Sequence, residues 1–334
     1  MKRLNSEYAV CDNGSDGIKA RSGSVEVQFD SLVVEGARFN STSSYDSGSY
    51  SIGDHKYTVV TTCESGANIA TNNEGYQISN ANLVLVAHAF KKLGLKGGSV
   101  KVVVTLPIST FFLNPENPEV NLELIGELKE HLMQEVHSLD DYDLPKVVDV
   151  SVQPEGIAAF AYATSIFAIE GERFAVADIG GTTTDIAIIT KEGQIQCFVS
   201  APIGTIEMFD NFAQEVSEAY ALGGLPPKHL ILKAFRGEKL AGIDVSEFVS
   251  KYKQRLDKNV RNALNQLANV NFLDATIFSG GGSEFLNSLK ANEYRTDEPR
   301  KDNVNGMAAI IEATLVHERT GRKEIDSEEI LSKI

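Results

Sequence analysis

The stretch 178–189 reads DIGGTTTDIAII and follows an apolar run of strand length at Arg173–Ala177. The pattern predicts a strand, a tight turn and a second strand. Glycines let the backbone approach a ligand closely, and consecutive N–H groups in a turn form an anion cradle to which threonine hydroxyls add donors. We expect the anion to be phosphate, with Asp178 placed to hold Mg²⁺ or a water in its shell. A plain β-hairpin, merely turned by Gly180 and Gly181, is the alternative for the loop alone.

A second loop of the same kind lies near the N-terminus. Tyr8–Cys11 is an apolar strand pattern that runs into Asp12–Lys19, DNGSDGIK. As in the stretch at 178–189, an aspartate, a glycine and turn residues separate two strand patterns. The sequence therefore predicts the same strand–turn–strand arrangement at two places in the chain.

A third glycine turn, Ser279–Ser283, follows the buried-strand pattern Ala275–Phe278 and precedes a helix predicted from Glu284. A helix N-terminus directs free N–H groups and the positive end of the helix dipole at an anion. The turn thus predicts part of a nucleotide site. The chain contains neither the P-loop pattern nor the dinucleotide G-x-G-x-x-G pattern, so neither of those folds is indicated.

The order and spacing of the three turns resemble those of the actin, Hsp70 and sugar kinase superfamily, which binds ATP between two ribonuclease H-like domains. More narrowly, the chain resembles the ParM/StbA family of bacterial actins that segregate plasmids. The stretches that carry this likeness are DIGGTTTDI in the loop at Asp178, PEGIAAFAY at Pro154–Tyr162, FSGGGSEFL at Phe278–Leu286 and NVNGM at Asn303–Met307. The resemblance covers roughly residues 5–315.

The resemblance implies an α/β chain with the actin-like ATPase fold, in which two ribonuclease H-like domains surround a nucleotide cleft. Domain I would comprise residues 1–155 and a returning C-terminal helix at about 303–320. Domain II would comprise residues 156–302, and residues 321–334 would form a charged tail beyond the likeness.

The resemblance also assigns ligands to the three turns, namely ATP, with GTP as the alternative, together with Mg²⁺. Asp12 and Asp178 would organise the metal, and Asp178 would share the catalytic role with Glu155. The first loop departs from the family pattern at Asn13, where a second acidic residue can occur, so its metal contact would rest on Asp12 alone. The remaining expected nucleotide contacts are Gly14, Ser15, Lys19, Gly180, Gly181, Thr182 and Thr183 at the phosphates, and Gly280, Gly281 and Gly282 at the adenosine.

Glu155 is the residue we expect to carry the chemistry. It follows the strand pattern Val147–Val152. Hydrolysis of a γ-phosphate needs a water in line with the leaving oxygen, and a carboxylate can orient or polarise that water. In the family pattern this glutamate has that role, and Gln153 is a second candidate for it. From the residues alone, a carboxylate favoured by the dipole of the helix from Ile157 is the alternative.

Composition sets limits on the partners. The chain has 334 residues, enough for two domains, with 42% hydrophobic residues. A formal net charge of −15 argues against direct binding to nucleic acid or to an anionic membrane, because like charges repel. Any DNA should therefore be carried by a basic adaptor.

Cysteines and apolar runs predict a cytoplasmic location. Cys11, Cys63 and Cys197 are too scattered for a disulfide framework or a zinc site. The N-terminal apolar run is too short for a signal peptide, and the longest one, Ile157–Ile169, is too short to span a bilayer.

Hydrophobic periodicity places the other elements. Residues 40–54 are rich in Ser, Gly and Asp and are expected to form a surface excursion. The predicted strands are Ser24–Phe29, Tyr57–Thr62, Lys101–Leu106, Ile186–Thr190 and Gln194–Val199. The predicted helices are one capped by Asn80 that runs to Leu93, Asn121–Leu139, one from Gly204 through Ala221, Val245–Leu267, and one from Asp302 or Asn303 to Arg319.

The resulting hypothesis is a Mg²⁺-dependent ATPase that polymerises with ATP and disassembles after hydrolysis. By resemblance, its filaments would move plasmid copies apart through an adaptor of the ParR type bound to centromere-like DNA. A small-molecule kinase that uses Asp178 or Asp185 as base is one alternative. An Hsp70-like or reactivase ATPase is the other. The sequence does not indicate filament polarity, handedness or strand number.

Overall fold

The structure, a computed structural model, describes residues 7–38, 47–61, 68–73 and 75–320, with side chains as far as Glu312. Part of the predicted excursion at 40–54, Cys63 and the predicted tail at 321–334 lie outside these residues. In the described part, no helix is long and apolar enough to cross a membrane.

The described chain contains both strands and helices. The strands are β1 (Glu7–Asn13), β2 (Gly17–Ser22), β3 (Val25–Asp30), β4 (Val33–Glu35), β5 (Gly48–Ile52), β6 (His55–Val59), β7 (Ser99–Leu106), β8 (His137–Ser138), β9 (Lys146–Pro154), β10 (Arg173–Ile179), β11 (Thr184–Thr190), β12 (Ile195–Ala201), β13 (Ala275–Ser279) and β14 (Glu293–Tyr294). The helices are α1 (Asn80–Lys92), α2 (Ile108–Phe111), α3 (Leu122–Leu132), α4 (Ile157–Phe167), α5 (Thr205–Tyr220), α6 (Lys228–Phe235), α7 (Ser246–Leu267) and α8 (Asp302–Thr320).

The chain divides into two compact units. Unit 1 contains the described residues up to Asn114, then Glu119–Tyr162 and α8 from Asn303. Unit 2 contains Pro115–Pro118 and Ala163–Asp302. Each unit is built on a five-stranded mixed sheet, in the order β3-β2-β1-β7-β9 in unit 1 and β12-β11-β10-β13-β14 in unit 2.

The two sheets repeat one topological pattern. In unit 1, β1 forms an antiparallel hairpin with β2 and pairs in parallel with β7. In unit 2, β10 forms an antiparallel hairpin with β11 and pairs in parallel with β13. The central strands are almost continuously buried, as is typical of strands covered on both faces. The two loops singled out in the sequence are therefore the turns of equivalent hairpins.

Two predicted helices are wrong in part. The helix expected over Asn121–Leu139 ends at Leu132, because His137 and Ser138 pair instead with β5. The helix expected from Glu284 is replaced by a 3₁₀ turn at Gly281–Phe285. Two glycines at its start are poor helix formers, so this segment does not continue as an α-helix.

The other predicted elements are found with small shifts at their ends. One detail is wrong: α1 is capped by Ser79, whose hydroxyl accepts from the amide of Asn82 at 3.2 Å, and not by Asn80. The Asn80 side chain instead donates to the Tyr57 hydroxyl at 2.9 Å.

Helices α4 and α8 approach each other closely within unit 1, next to a small core that includes Val10 and Met307. A Cβ at Gly306 would lie 1.9 Å from the carbonyl oxygen of Ala158. Glycine at 306 therefore permits backbone contact that no other residue allows.

Gly306→Ala is expected to destabilise the protein, although alanine favours a helix by about 1 kcal/mol. The clash is with backbone, and overpacking of this kind costs about 1–3 kcal/mol or more. We expect the thermal midpoint to fall by roughly 5 °C. The matched control is Gly126→Ala in α3, where a Cβ meets nothing within 4 Å and stability should rise slightly. Equal midpoints for the two variants would contradict the packing.

Candidate functional site

In the β1–β2 turn of unit 1, side chains from elsewhere in the unit bind the carbonyl groups, whereas amides of the turn could bind a ligand. The Ser31 hydroxyl donates to the carbonyl of Gly14 at 2.7 Å, and the Thr71 hydroxyl donates to the carbonyl of Ser15 at 2.7 Å. Within the described residues, the amides of Gly14 and Ser15 donate no hydrogen bond. Anchored carbonyls and free amides are the arrangement that an anion requires.

Asp12 and Lys19 lie beside this turn on paired positions of β1 and β2. Lys19 Nζ is 3.2 Å from Asp12 Oδ2, and Asp12 is only 5% exposed. The ion pair with Lys19 holds the Asp12 side chain in place. The pair supplies one cation for a phosphate and one carboxylate for a metal or its water.

Glu155 joins the same group of residues. It follows β9, and its amide donates to the carbonyl of Leu106 at 2.8 Å. Its Oε1 lies 3.5 Å from the hydroxyl of Thr105, and that hydroxyl lies 3.2 Å from Asp12 Oδ1. Unit 1 thus brings Asp12, Lys19 and Glu155 together, with Thr105 between the two carboxylates.

Thr105 was missed in the sequence. The only available signal was its place as the one hydroxyl residue near the end of the apolar strand β7, which pairs with both β1 and β9.

In unit 2, the β10–β11 turn shows the same separation of carbonyls and amides. The amide of Gly180 donates to Thr183 at 2.9 Å, which closes the turn. The carbonyl of Gly180 accepts from the Thr205 amide at 3.2 Å and that of Gly181 from the Ile206 amide at 2.9 Å, both in the first turn of α5. In the described part of the chain, the amides of Gly181, Thr182 and Thr183 donate to no residue.

The loop is therefore a β-hairpin turn and also a potential anion cradle. The two interpretations of the sequence are compatible, because the hairpin geometry does not use the amides at its tip. Helix α5 is positioned by this contact, and Gly204 makes it possible, since a Cβ there would lie 2.2 Å from the carbonyl oxygen of Gly181.

Asp178 lies at the end of β10 and is 8% exposed. Its cross-strand partner in β11 is Asp185, which is 4% exposed. Directly opposite residues on one face of an antiparallel pair have Cβ atoms about 5 Å apart. Two buried carboxyl groups therefore lie close together at this end of the β10–β11 hairpin.

The third glycine turn also reaches Asp178 within unit 2. Gly280 has φ +76°, and a Cβ there would lie 2.3 Å from Asp178 Oδ1. A Cβ at Gly282 would lie 2.3 Å from the Ile179 side chain, whereas Gly281 has Arg300 as its neighbour. The turn thus packs against the Asp178 end of β10, and close contact requires glycine at 280 and 282.

Asp302, at the start of α8, is a second residue that sequence reasoning missed. Its side chain is fully buried, and its Oδ1 accepts from the Thr296 hydroxyl at 2.6 Å. Burial raises the pKa of this carboxyl from 3.8 to about 7, the Thr296 bond opposes the rise, and the charge of Asp178 adds to it. A proton therefore sits on the Asp302 carboxyl below neutral pH.

Asp302→Asn is expected to remove a pH dependence of stability. Because folding raises this pKa, the native state keeps a proton on Asp302 at pH values above 3.8, where the unfolded chain has lost it. The stability that depends on this proton falls as the pH rises from 3.8 towards about 7. The free energy of unfolding of the native sequence should fall by about 1.4 kcal/mol per pH unit across this window, relative to the variant. Urea unfolding at pH 5, 6, 7 and 8, in EDTA without nucleotide, measures this difference. Parallel pH profiles for the two proteins would contradict it.

The described residues contain no group of three or more His, Cys, Asp or Glu side chains arranged to hold a metal ion by themselves. Mg²⁺ is ordinarily bound through one or two carboxylates, substrate phosphates and water. Asp12 and Asp178, each a buried carboxylate beside a free-amide loop, fit that kind of binding.

Two family models match the chain. The N-terminal model of the plasmid segregation protein ParM, StbA_N, matches residues 9–166. The C-terminal model of the archaeal MreB-like actin homologue matches residues 176–291. No curated protein matches the chain significantly.

Solved structures of actin-like proteins match nearly the whole chain. A 15-stranded ParM filament from Clostridium botulinum is 17% identical, with a TM-score of 0.70 and coverage of 93% of this chain and 100% of that chain. The archaeal actin homologue Ta0583 in complex with ADP is 17% identical, with a TM-score of 0.70 and coverage of 92% and 99%. The actin-like protein Alp7A is 13% identical, with a TM-score of 0.69 and coverage of 96% and 99%. These likenesses show that the α/β fold is the actin-like ATPase fold, as predicted, and the two family matches confirm the predicted resemblance to the ParM/StbA family.

Proposed function

We propose that this protein is a Mg²⁺-dependent ATPase whose filaments assemble with ATP and disassemble after hydrolysis. The observation that carries the proposal is the pair of hairpin turns, one in each unit. In both, carbonyls of the turn are anchored by other groups, the amides of Gly14, Ser15 and 181–183 donate to no described residue, and a buried aspartate, Asp12 or Asp178, precedes the turn. Such turns bind phosphate oxygens.

The nucleotide contacts follow from these turns. The amides of Gly14, Ser15 and Gly181 to Thr183 would donate to phosphate oxygens, and Lys19 would neutralise charge. Gly280, Gly281 and Gly282 would border the adenosine. The ADP complex of a structural relative supports an adenine nucleotide, and competition between ATP and GTP tests the base preference.

The metal ion and Glu155 would have different roles in hydrolysis. Bound Mg²⁺ supplies charge neutralisation at the phosphates. Asp12 and Asp178 would hold the ion or its waters. Glu155, partly exposed and fixed through its amide, would orient the attacking water and accept its proton in the transition state.

Polymerisation and plasmid partition are supported by the relatives. Solved relatives include a ParM filament and an Alp12 filament, and the N-terminal family model is that of a plasmid segregation protein. We propose a cytoplasmic homopolymer that reaches centromere-like DNA through a basic ParR-type adaptor, because the chain's charge of −15 opposes direct contact with DNA. The domain boundaries remain part of the proposal, with domain I at 1–155 plus the returning helix and domain II at 156–302.

The test is sedimentation and light scattering of the purified protein with Mg-ATP, with Mg-ADP and without nucleotide, alongside phosphate release. We expect polymer with ATP that decays as phosphate accumulates, and no lasting polymer with ADP. The proposal would be overturned if the protein neither hydrolysed ATP nor formed a sedimentable polymer. Turnover that a sugar or small acid accelerates, without polymer, would favour a kinase, and a client-stimulated monomer would favour a reactivase.

A further inference from the structure

Thr105 is surrounded by acceptors at a point where nothing in the family resemblance assigns a role. It is fully buried in β7. Its Oγ1 lies 3.2 Å from Asp12 Oδ1, 3.4 Å from Asn13 Oδ1 and 3.5 Å from Glu155 Oε1. A threonine hydroxyl has one proton, so it can donate to only one of these oxygens at a time.

The Asn13 side chain makes other hydrogen bonds, and these bear on which oxygen the Thr105 hydroxyl donates to. Its Nδ2 donates to Gln77 Oε1 at 2.9 Å and to Asn82 Oδ1 at 3.1 Å, so both of its amide protons are used. Its Oδ1 accepts from the backbone amide of Thr105 at 3.1 Å. Asn82 Nδ2 in turn donates to the carbonyl of Gln77 at 2.6 Å.

This amide network fixes the Thr105 backbone from one side. It also explains why residue 13 is an asparagine, since an aspartate would have no proton to give to Gln77 or Asn82. The Asn13 oxygen already accepts from the Thr105 amide and carries no charge, so the two carboxylates are the better acceptors for the Thr105 hydroxyl. A hydrogen bond to a charged acceptor is the stronger kind.

We propose that Thr105 is a positioning residue whose hydroxyl links Asp12, at the first phosphate loop, to Glu155, which orients the attacking water. The inference rests on the proposed ATPase function for its kinetic consequence. When the ligand engages Asp12, the Thr105 hydroxyl rotates and donates its hydrogen bond to Glu155 instead. This bond holds the Glu155 carboxylate in one rotamer. Thr105 does not touch substrate, and it acts only through these neighbours.

Two substitutions separate the hydroxyl from the methyl group. Thr105→Val keeps the shape of the side chain and removes the proton, whereas Thr105→Ser keeps the proton and removes the methyl group. We expect the valine variant to lower kcat about tenfold, with the Kd for ATP within about threefold of the native value. The serine variant should retain most of the activity. The opposite order, with serine impaired and valine normal, would show a packing role and overturn the proposal.

A double-mutant cycle shows whether Thr105 acts through Glu155. Thr105→Val combined with Glu155→Gln should have the same kcat as Glu155→Gln alone. Independent action would multiply the two losses and contradict the proposal.

A second cycle combines Thr105→Val with Asp12→Ala and is run on the urea unfolding midpoint of the nucleotide-free protein, in which the Thr105 hydroxyl donates to Asp12, because this readout needs no hydrolysis. We expect the midpoint shifts of the two single variants not to add. If the native protein does not hydrolyse ATP but the midpoints are coupled, the ATPase proposal fails and the Thr105 link stands. Additive midpoints would overturn the link itself.

Discussion

Replacing Glu155 with glutamine is expected to lower the rate of ATP hydrolysis by about 10²–10⁴-fold, the usual contribution of a general base. Glutamine has nearly the same shape and still occupies the place beside Thr105, but it cannot take a proton from water. The Kd for ATP should change little, because the phosphate contacts that we propose come from backbone amides and Lys19. Single-turnover phosphate release and equilibrium nucleotide binding measure the two quantities separately.

The same variant should change filament lifetime. If hydrolysis triggers disassembly, Glu155→Gln should assemble with ATP and remain sedimentable long after native polymer has decayed. The matched control is Glu135→Gln, which removes a solvent-exposed carboxylate of the same unit whose side chain is 82% exposed. Native rates of hydrolysis in Glu155→Gln would remove this residue from the mechanism.

Gly204→Ala is expected to reduce ATP affinity by about 100-fold or more, although residue 204 touches no ligand. Its backbone angles, φ −140° and ψ 172°, suit any residue, so the effect is purely steric. A Cβ there would lie 2.2 Å from the carbonyl oxygen of Gly181 and 2.5 Å from the carbonyl carbon of Thr182. Both contacts are backbone, so the phosphate turn must move, and a displacement of about 1 Å can cost about 10²-fold.

Isothermal titration with ATP measures the loss, and circular dichroism checks that the fold is retained. Gly224→Ala is the control in the same unit, since a Cβ there meets nothing within 4 Å. An affinity for ATP within threefold of the native value in Gly204→Ala would contradict the role assigned to the β10–β11 turn.

Local sequence pattern predicted the hairpins because everything that defines them is contiguous. Asp12 and Lys19, or Asp178 and Asp185, are close in the chain, and strand alternation with glycine between them is enough to pair them. The same local view failed at Leu132, where a pairing between β8 and β5 competes with the helix from more than 80 residues away. Periodicity carries no information about such a partner.

The group around Glu155 shows the same limit more clearly. The hydrogen bonds of Thr105 reach Asp12, 93 residues earlier, and Glu155, 50 residues later. No spacing rule predicts contacts across three strands, and Glu155 itself was singled out through the family resemblance. The catalytic and ligand-binding roles of the site residues stay predictions, and the geometry shows only which of them lie together.

The anchored carbonyls of the two turns have a consequence for mutagenesis. If phosphate is held mainly by main-chain amides, an alanine scan across Ser15, Thr182 and Thr183 leaves every main-chain donor in place and would not detect the binding site. In the β1–β2 turn, the positions that we expect to be sensitive are Ser31 and Thr71, because their hydroxyls donate to carbonyls of the turn and so fix the orientation of its backbone. Sequence variation at the visible tip of such a loop is therefore a poor guide to whether the protein still recognises its ligand.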